Sequence, residues 1–484
     1  MGFHMTKTAI LAVIPFIFTG SVAFADATED GAAHLTEVFQ TYLGTDEGVV
    51  SVEVDGDAYT LTLDGAQLIA KATASGGTAS LTPLVMTLTD NGDGTWGVSQ
   101  DQAVTIAFAI PGSADIKEEI ASLKSEGVFD ESLMSFTTAK GEMTGIKVTQ
   151  TMTTEGQPPM TVDMTMAGGT FEMTGVKGAA GGVDSTIAVT MTGLSESFTT
   201  PASEGMPPMP ISLTAESMSE TGKIDGLRPD AFYKTLAWFV AHPDEASMIA
   251  ERASMKTILG EGLPFFSLIS ATGTIKNVAV TTPMGNVGMA ELGFDIDMNG
   301  AVKDGKFREA ITVTGLTLPE GVIPAWAVPI LPQKVSLDFQ VTGYDAEAAA
   351  KLALTLFDLP PGTKPDAAFE ASMMKALLPD GTVAIGLNPG AISGDGYELT
   401  YEGSMVAGPD MPVPTGKATI TLTGLDKLQA ALAAAPDEIK GQAMMGVGMA
   451  QGMAKQDGDK LVWEIDASTP GSLSVNGTQM MGGN

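Results

Sequence analysis

Cysteine is absent from the 484-residue chain, and arginine occurs only as Arg228, Arg252 and Arg308. Without cysteine there is no disulfide framework, no thiolate metal centre and no lipidated cysteine behind a leader. The shortage of arginine belongs to a wider imbalance, 25 basic against 58 acidic residues and a formal net charge of −33. Nucleic-acid backbones are gripped by clustered Lys and Arg, so that class of partner is excluded, and anionic membrane surfaces are disfavoured for the same reason. Histidine is nearly missing as well, with His34 and His242 the only ones after the leader. No spacing of the carboxylates singles out an acid–base pair or a nucleophile with its base. The expectation is a protein that is not an enzyme, with no catalytic residue, cofactor or metal ligand to name.

Long apolar runs are scarce too. The stretch 316–332 is cut by Pro319, Pro324, Pro329 and Pro332, so it cannot cross a bilayer as a helix. The one uninterrupted apolar segment, 9–18, follows Lys7 and precedes Ala23-Phe24-Ala25. A basic residue, a short apolar core and small residues at the cut site form a secretory signal peptide, cleaved after Ala25. This predicts an exported, periplasmic protein whose mature part has no transmembrane segment.

What the chain does contain is a pattern written twice between 143 and 222. Met143-Thr144-Gly145 leads through a strand-like run to Glu155-Gly156-Gln157-Pro158-Pro159-Met160, and a second run ends at Thr174-Gly175. The copy has Met191-Thr192-Gly193, Glu204-Gly205-Met206-Pro207-Pro208-Met209 and Thr221-Gly222. Within each run the residues alternate: Ile146, Val148 and Met152 against Lys147, Thr149 and Thr151, then Val162, Met164 and Met166 against Thr161, Asp163 and Thr165. Period two with one dry side is the signature of an antiparallel strand covered on one face, and Gly beside Pro-Pro is strand-ending chemistry. Each copy therefore reads as a β-hairpin.

Elsewhere, Leu35, Val38, Phe39 and Tyr42 predict a helix over 29–43, and strands follow at 49–54, 59–63, 81–88 and 103–110. Asp90-Asn91-Gly92-Asp93-Gly94 lacks the downstream Glu of a calcium loop and reads as a hairpin turn. A short helix is expected over 115–123. Pro229 opens a helix whose stripe is Phe232, Leu236, Phe239 and Val240, and Asp244 opens another with Met248, Ile249, Arg252, Met255 and Leu259; the aromatic stripe with Trp238 and Tyr233 could line a ligand pocket but reads as core. The chain thus divides into a leader 1–25, a β-rich half 26–225 with the duplicated hairpins, and an α+β half 226–484. The expected fold is α+β, mainly β: an extended, curved antiparallel sheet covered by helices near 229–259 and 424–454.

The strands punctuated by Thr-Gly, the segment Thr314-Gly315-Leu316-Thr317-Leu318-Pro319 with its later Pro332, and the terminal Leu473-Ser474-Val475-Asn476-Gly477 resemble an uncharacterised family of exported alphaproteobacterial proteins. More loosely the chain looks like the YdgA-type and AsmA-type envelope proteins. The resemblance implies a periplasmic address and a long antiparallel sheet; it carries no activity or site residues.

Methionine, with 29 copies, is the one soft side chain in quantity. Met160, Met164 and Met166, then Met444, Met445, Met449 and Met453, then Met480 and Met481 could bind Cu(I) through thioethers, but Met on apolar parity more simply fills cores and adaptable surfaces. The functional expectation is a groove for a lipid or other apolar ligand. Its alternative is a structural protein contacting an envelope partner, and copper is the third.

Overall fold

The computed structural model describes residues 26–66, 78–153, 158–201 and 207–481. The leader, and within the two repeat turns Glu155 to Gln157 and Glu204 to Met206, lie outside the described residues. The fold is mainly β, one large open antiparallel sheet with helices.

The sheet begins with β1 (Val50–Asp55), β2 (Ala58–Leu63), β3 (Thr78–Leu81) and β4 (Leu84–Asp90). Six long strands follow: β5 (Thr95–Ile110), β6 (Ala114–Asp130), β7 (Ser135–Met152), β8 (Met160–Lys177), β9 (Val183–Thr200) and β10 (Met209–Leu227). After a helical insertion come β11 (Leu268–Thr282), β12 (Gly285–Asn299), β13 (Gly305–Thr314), β14 (Lys334–Tyr344), β15 (Val383–Gly394), β16 (Tyr397–Ala407) and β17 (Thr415–Thr423). Short strands β18 (Lys455–Asp457), β19 (Lys460–Asp466), β20 (Leu473–Val475) and β21 (Thr478–Met481) finish it. From β5 to β17 each strand pairs with its neighbour in sequence. The duplicated segments are the hairpins β7–β8 and β9–β10. The ladder continues from β10 to β11 across residue 225, so the two halves of the chain share it.

A line of left-handed residues crosses this sheet. Gly145, Gly193, Asn277 and Gly315 have φ of 62°, 64°, 51° and 63° and sit on alternate strands β7, β9 and β11 and just past β13. Each faces a residue of the preceding strand: a Cβ on Gly145 would come 2.9 Å from that of Ala121, one on Gly193 2.9 Å from that of Ala167, and one on Gly315 2.6 Å from that of Ala290. Asn277 instead donates to Glu216. The repeated Met-Thr-Gly is therefore a crease, which explains why glycine stands there. At the crease the alternation slips by one: Ala139 and Met143 face the apolar side above it, Ile146 and Val148 below it. Cross-strand neighbours slip together, so one face stays apolar along the whole length.

This slip accounts for an error of sequence reading. The stretch 115–123, expected to be a helix, is part of β6. Ile116 and Ile120 lie on one side of the slip and Leu123 on the other, which turns a period of two into an apparent i, i+4, i+7. The strand expected at 81–88 is likewise two, because Pro83, lacking an N–H, separates β3 from β4. The stretch 90–94 does form the β4–β5 turn: Asp90 Oδ1 accepts from Gly92 N and Asp93 Oδ1 from Thr95 N.

Glycines also make room for rings. Gly141, Gly273, Gly305, Gly390 and Gly394 stand directly opposite Phe171, Phe294, Tyr344, Tyr401 and Tyr397. In each pair a Cβ on the glycine would fall within 2.6 Å of the ring. The aromatic lies flat across its partner strand and covers a backbone that glycine leaves bare.

The helices are α1 (Glu29–Leu43), α2 (Pro229–Ala241), α3 (Glu245–Ala250), α4 (Arg252–Gly262), α5 (Ala346–Ala353), α6 (Ala367–Leu377), α7 (Leu425–Ala433) and α8 (Asp437–Met453). Thr28 caps α1, its Oγ1 accepting from Gly31 N. Ala32 and Leu35 of α1 enter the main core with Val50, Tyr59, Leu61, Met86, Leu88, Trp96, Val98, Phe136 and Phe171. The next helices pack in a row. Tyr42 of α1 meets Tyr233 of α2, Trp238 of α2 donates to Ser254 of α4, and Lys256 of α4 pairs with Asp358 in the 3₁₀ turn Leu354–Asp358 beside α5. The stripe Phe232, Leu236 and Phe239, expected to be core, is 48%, 43% and 49% exposed. Helix–helix packing selects the other side, where Ala231 and Trp238 are buried. In the second stripe only Met255 is buried, since the helix breaks at Glu251.

Candidate functional site

Cross-strand partners share a face, so the registers assign every strand residue to one of two faces. One transverse row on the apolar face reads Met173, Ile187, Gly222, Ala271, Ile296, Glu309, Phe339, Leu387, Gly403, Ala418 and Ile465. At the β1–β8 end this face is sealed on one side of the crease, where Leu61 and Leu123 are each 1% exposed, and partly open toward the far end of the other, where Ile110 is 41% exposed and Glu118, Val148 and Met164 are half-buried. Toward β17 it is not. Ile187, Met298, Leu337, Phe339, Leu387 and Met405 all lie on it and are 36% to 47% exposed.

On β14 the ordinary order is inverted. Leu337 and Phe339 are exposed while Ser336, Asp338 and Gln340 on the opposite face are only partly so. The polar face is occupied by its own network: Arg308 Nη2 donates to Asp338 Oδ2 at 2.7 Å, Asn388 Nδ2 to Asp338 Oδ1 at 2.7 Å, and Arg308 lies 3.5 Å from Asp297. Burial works to raise the Asp338 pKa, but the hydrogen bonds from Arg308 and Asn388 outweigh it and hold the carboxyl below its usual range. That network belongs to the fold, because every charge in it has a partner.

Methionine gathers on the apolar face. Met143, Met164, Met166, Met173, Met191, Met218, Met289, Met298 and Met405 all have its parity. Thioether side chains are flexible and polarisable, so a surface built from them conforms to apolar partners of varied shape. Of the soft-ligand candidates, Met160, Met164 and Met166 sit on β8, Met444, Met445, Met449 and Met453 on α8, and Met480 and Met481 on β21. Met445 and Met449 are 64% and 65% exposed.

Two histidines stand apart from this face. His34 is exposed on α1, and His242 ends α2, its Nδ1 2.6 Å from Trp238 O and its ring stacked on that indole. Among the described residues no group of three or more His, Asp or Glu could hold a metal ion.

Two depressions, of about 790 and 510 Å³, are lined chiefly by polar-face side chains, the first by Thr161, Asp163, Ser197 and Ser212 among the hairpin prolines, the second by Asp101, Lys124, Glu126 and Lys140. In the second, Lys124 pairs with Asp101 and Lys140 with Glu126, and Glu142 and Glu172 leave the lining net negative. Both depressions are walled mainly from the polar face, so the candidate apolar face rests on its exposed apolar area and not on concavity. Sequence reasoning found the parity of this face; it had no signal for which part lies uncovered. Comparison with protein-family models, curated proteins and solved structures found no match.

Proposed function

We propose that the chain is a non-enzymatic, exported envelope protein that binds a lipid or other apolar ligand along the apolar face, which is uncovered between β9 and β17 and partly open beyond the crease from β5 to β8. The observation that carries this is the inverted exposure on β14, where Leu337 and Phe339 face solvent more than their polar neighbours do. Exposed apolar area in a contiguous row is costly in water, and covering a half-exposed Leu, Phe or Met returns on the order of 1 kcal/mol each. Methionines on the same face suit a ligand without fixed shape, such as an acyl chain.

The test is native mass spectrometry with lipid extraction on protein purified from its own envelope fraction. Co-purifying lipid, displaced by a neutral fluorescent acyl probe at micromolar concentration, is the expected result. Protein free of lipid that also ignores the probe would turn the account to the second reading, a surface that meets another envelope protein. A specific feature favours that second reading: Phe232, Leu236 and Phe239 form an exposed apolar stripe on α2.

A further inference from the structure

The charges that share the apolar face are nearly all of one kind. Between β5 and β17 they are Glu118 on β6, Glu196 on β9, Glu220 on β10 and Glu309 on β13. Lys177, the exposed last residue of β8, is the one cation of that parity among the described residues. Lys117, Lys124, Lys140, Lys147, Lys223, Lys306, Arg308 and the other strand cations point to the opposite face, many of them paired there with carboxylates.

Glu118 and Glu196 stand in a single transverse row, separated by Val148 and Met164. Three strand spacings put them roughly 14 Å apart. Neither forms an ion pair among the described residues, and burial pushes the Glu118 carboxyl up. Isolated carboxylates on an apolar surface cost desolvation energy and return nothing to the fold. The face thus offers apolar area and negative charge together.

Resting on the apolar-ligand reading above, we infer that the ligand is a cationic amphiphile, an apolar chain bearing an amine or quaternary ammonium group, and that Glu118 and Glu196 select it over anionic lipids. A fatty-acid carboxylate or a phosphate head laid in the row of Glu118 and Glu196 would meet like charge, whereas an ammonium between Ile106, Val148 and Met164 finds a carboxylate in a weakly screened setting.

The experiment compares dodecyltrimethylammonium, dodecyl maltoside and laurate, all below their micellar concentrations, by calorimetry on delipidated mature protein at physiological salt. The ammonium probe is expected to bind at least about tenfold tighter than laurate, a difference of about 1.4 kcal/mol. The double variant Glu118→Gln/Glu196→Gln should remove most of that preference while the maltoside affinity holds. Glu142→Gln/Glu172→Gln, on the polar face, controls for the overall negative charge and should leave the preference intact; if it removes as much, the inference fails. If the double variant does not fold, as read by circular dichroism, Glu196→Gln alone serves and should lose part of the preference. Equal binding of all three probes overturns this inference and leaves the apolar-face reading standing; no binding of any overturns the reading itself.

Discussion

Strands β2 and β14 carry the same alternation and end in opposite surroundings. On β2, Tyr59 and Leu61 are 4% and 1% exposed; on β14, Leu337 and Phe339 are 47% and 36% exposed. Near β2, helix α1 lays Ala32, Leu35 and Phe39 on the sheet. Near the end of β14, α5 packs on α6 and on the turn at 354–358. From β11 to β21 only Val278, Tyr397, Leu422 and Leu461 are buried hydrophobics on strands. Alternation therefore says which face is dry in composition; whether it is dry in fact depends on a second layer.

The comparison breaks most visibly under truncation. Leu61→Ala or Leu35→Ala should cost about 2–5 kcal/mol, because each removes buried methyls and leaves a cavity. Leu337→Ala should cost under about 1 kcal/mol, since its side chain is already half in water. Urea unfolding followed by circular dichroism measures both, and equal costs at Leu61 and Leu337 would show that the far end is sealed too.

The crease sharpens the same contrast. Gly145→Val places a β-branched residue at φ 62° with its Cβ 2.9 Å from that of Ala121, and should cost about 1–3 kcal/mol. Gly92→Ala, at φ 75° in a turn with nothing within 4 Å of the new Cβ, should cost about 1 kcal/mol. If the two cost the same, the crease contributes backbone strain alone and not a close approach between strands.

Acid titration separates the faces by sign. Ser468 and Lys417 hold the Asp466 carboxyl down to about 2 from 3.8, so its contribution is present above pH 3.8 and is lost as pH falls through about 2. Asp466→Asn should flatten that acid limb. Burial raises Glu118 above 4.5, the reverse case: its protonated form suits the fold, and stability is lost as pH rises through the raised value. Glu118→Gln should therefore stabilise at neutral pH and change nothing well below pH 4.5. Thermal melts across pH 2–8 read both limbs, and destabilisation by Glu118→Gln at pH 7 would mean the carboxylate has a partner.

Much of this architecture was legible in the residues. The alternation of 146–152 and 161–166, the doubled Met-Thr-Gly and the helix at 29–43 are local patterns, and local patterns survive folding. The helix expected at 115–123 failed because a slip in parity mimics a helical period, and the slip is set by partners at Gly145 and Ala167 on other strands. The stripe of Phe232, Leu236 and Phe239 failed because amphipathicity does not say which side another helix will choose. The apolar parity of the candidate face was legible; its exposure was not, since a packed core and an open face share one sequence pattern.

The absence of cysteine permits one direct measurement on the claim that this face is open and holds the ligand. Single cysteines placed as Leu337→Cys on the apolar face, Glu402→Cys on the polar face and Leu61→Cys in the core are reacted with a water-soluble thiol reagent, with and without an acyl ligand. The account predicts that Leu337→Cys and Glu402→Cys react readily and Leu61→Cys slowly, and that the ligand protects Leu337→Cys alone. Reaction at position 337 as slow as at 61, or equal protection at 337 and 402, would contradict it.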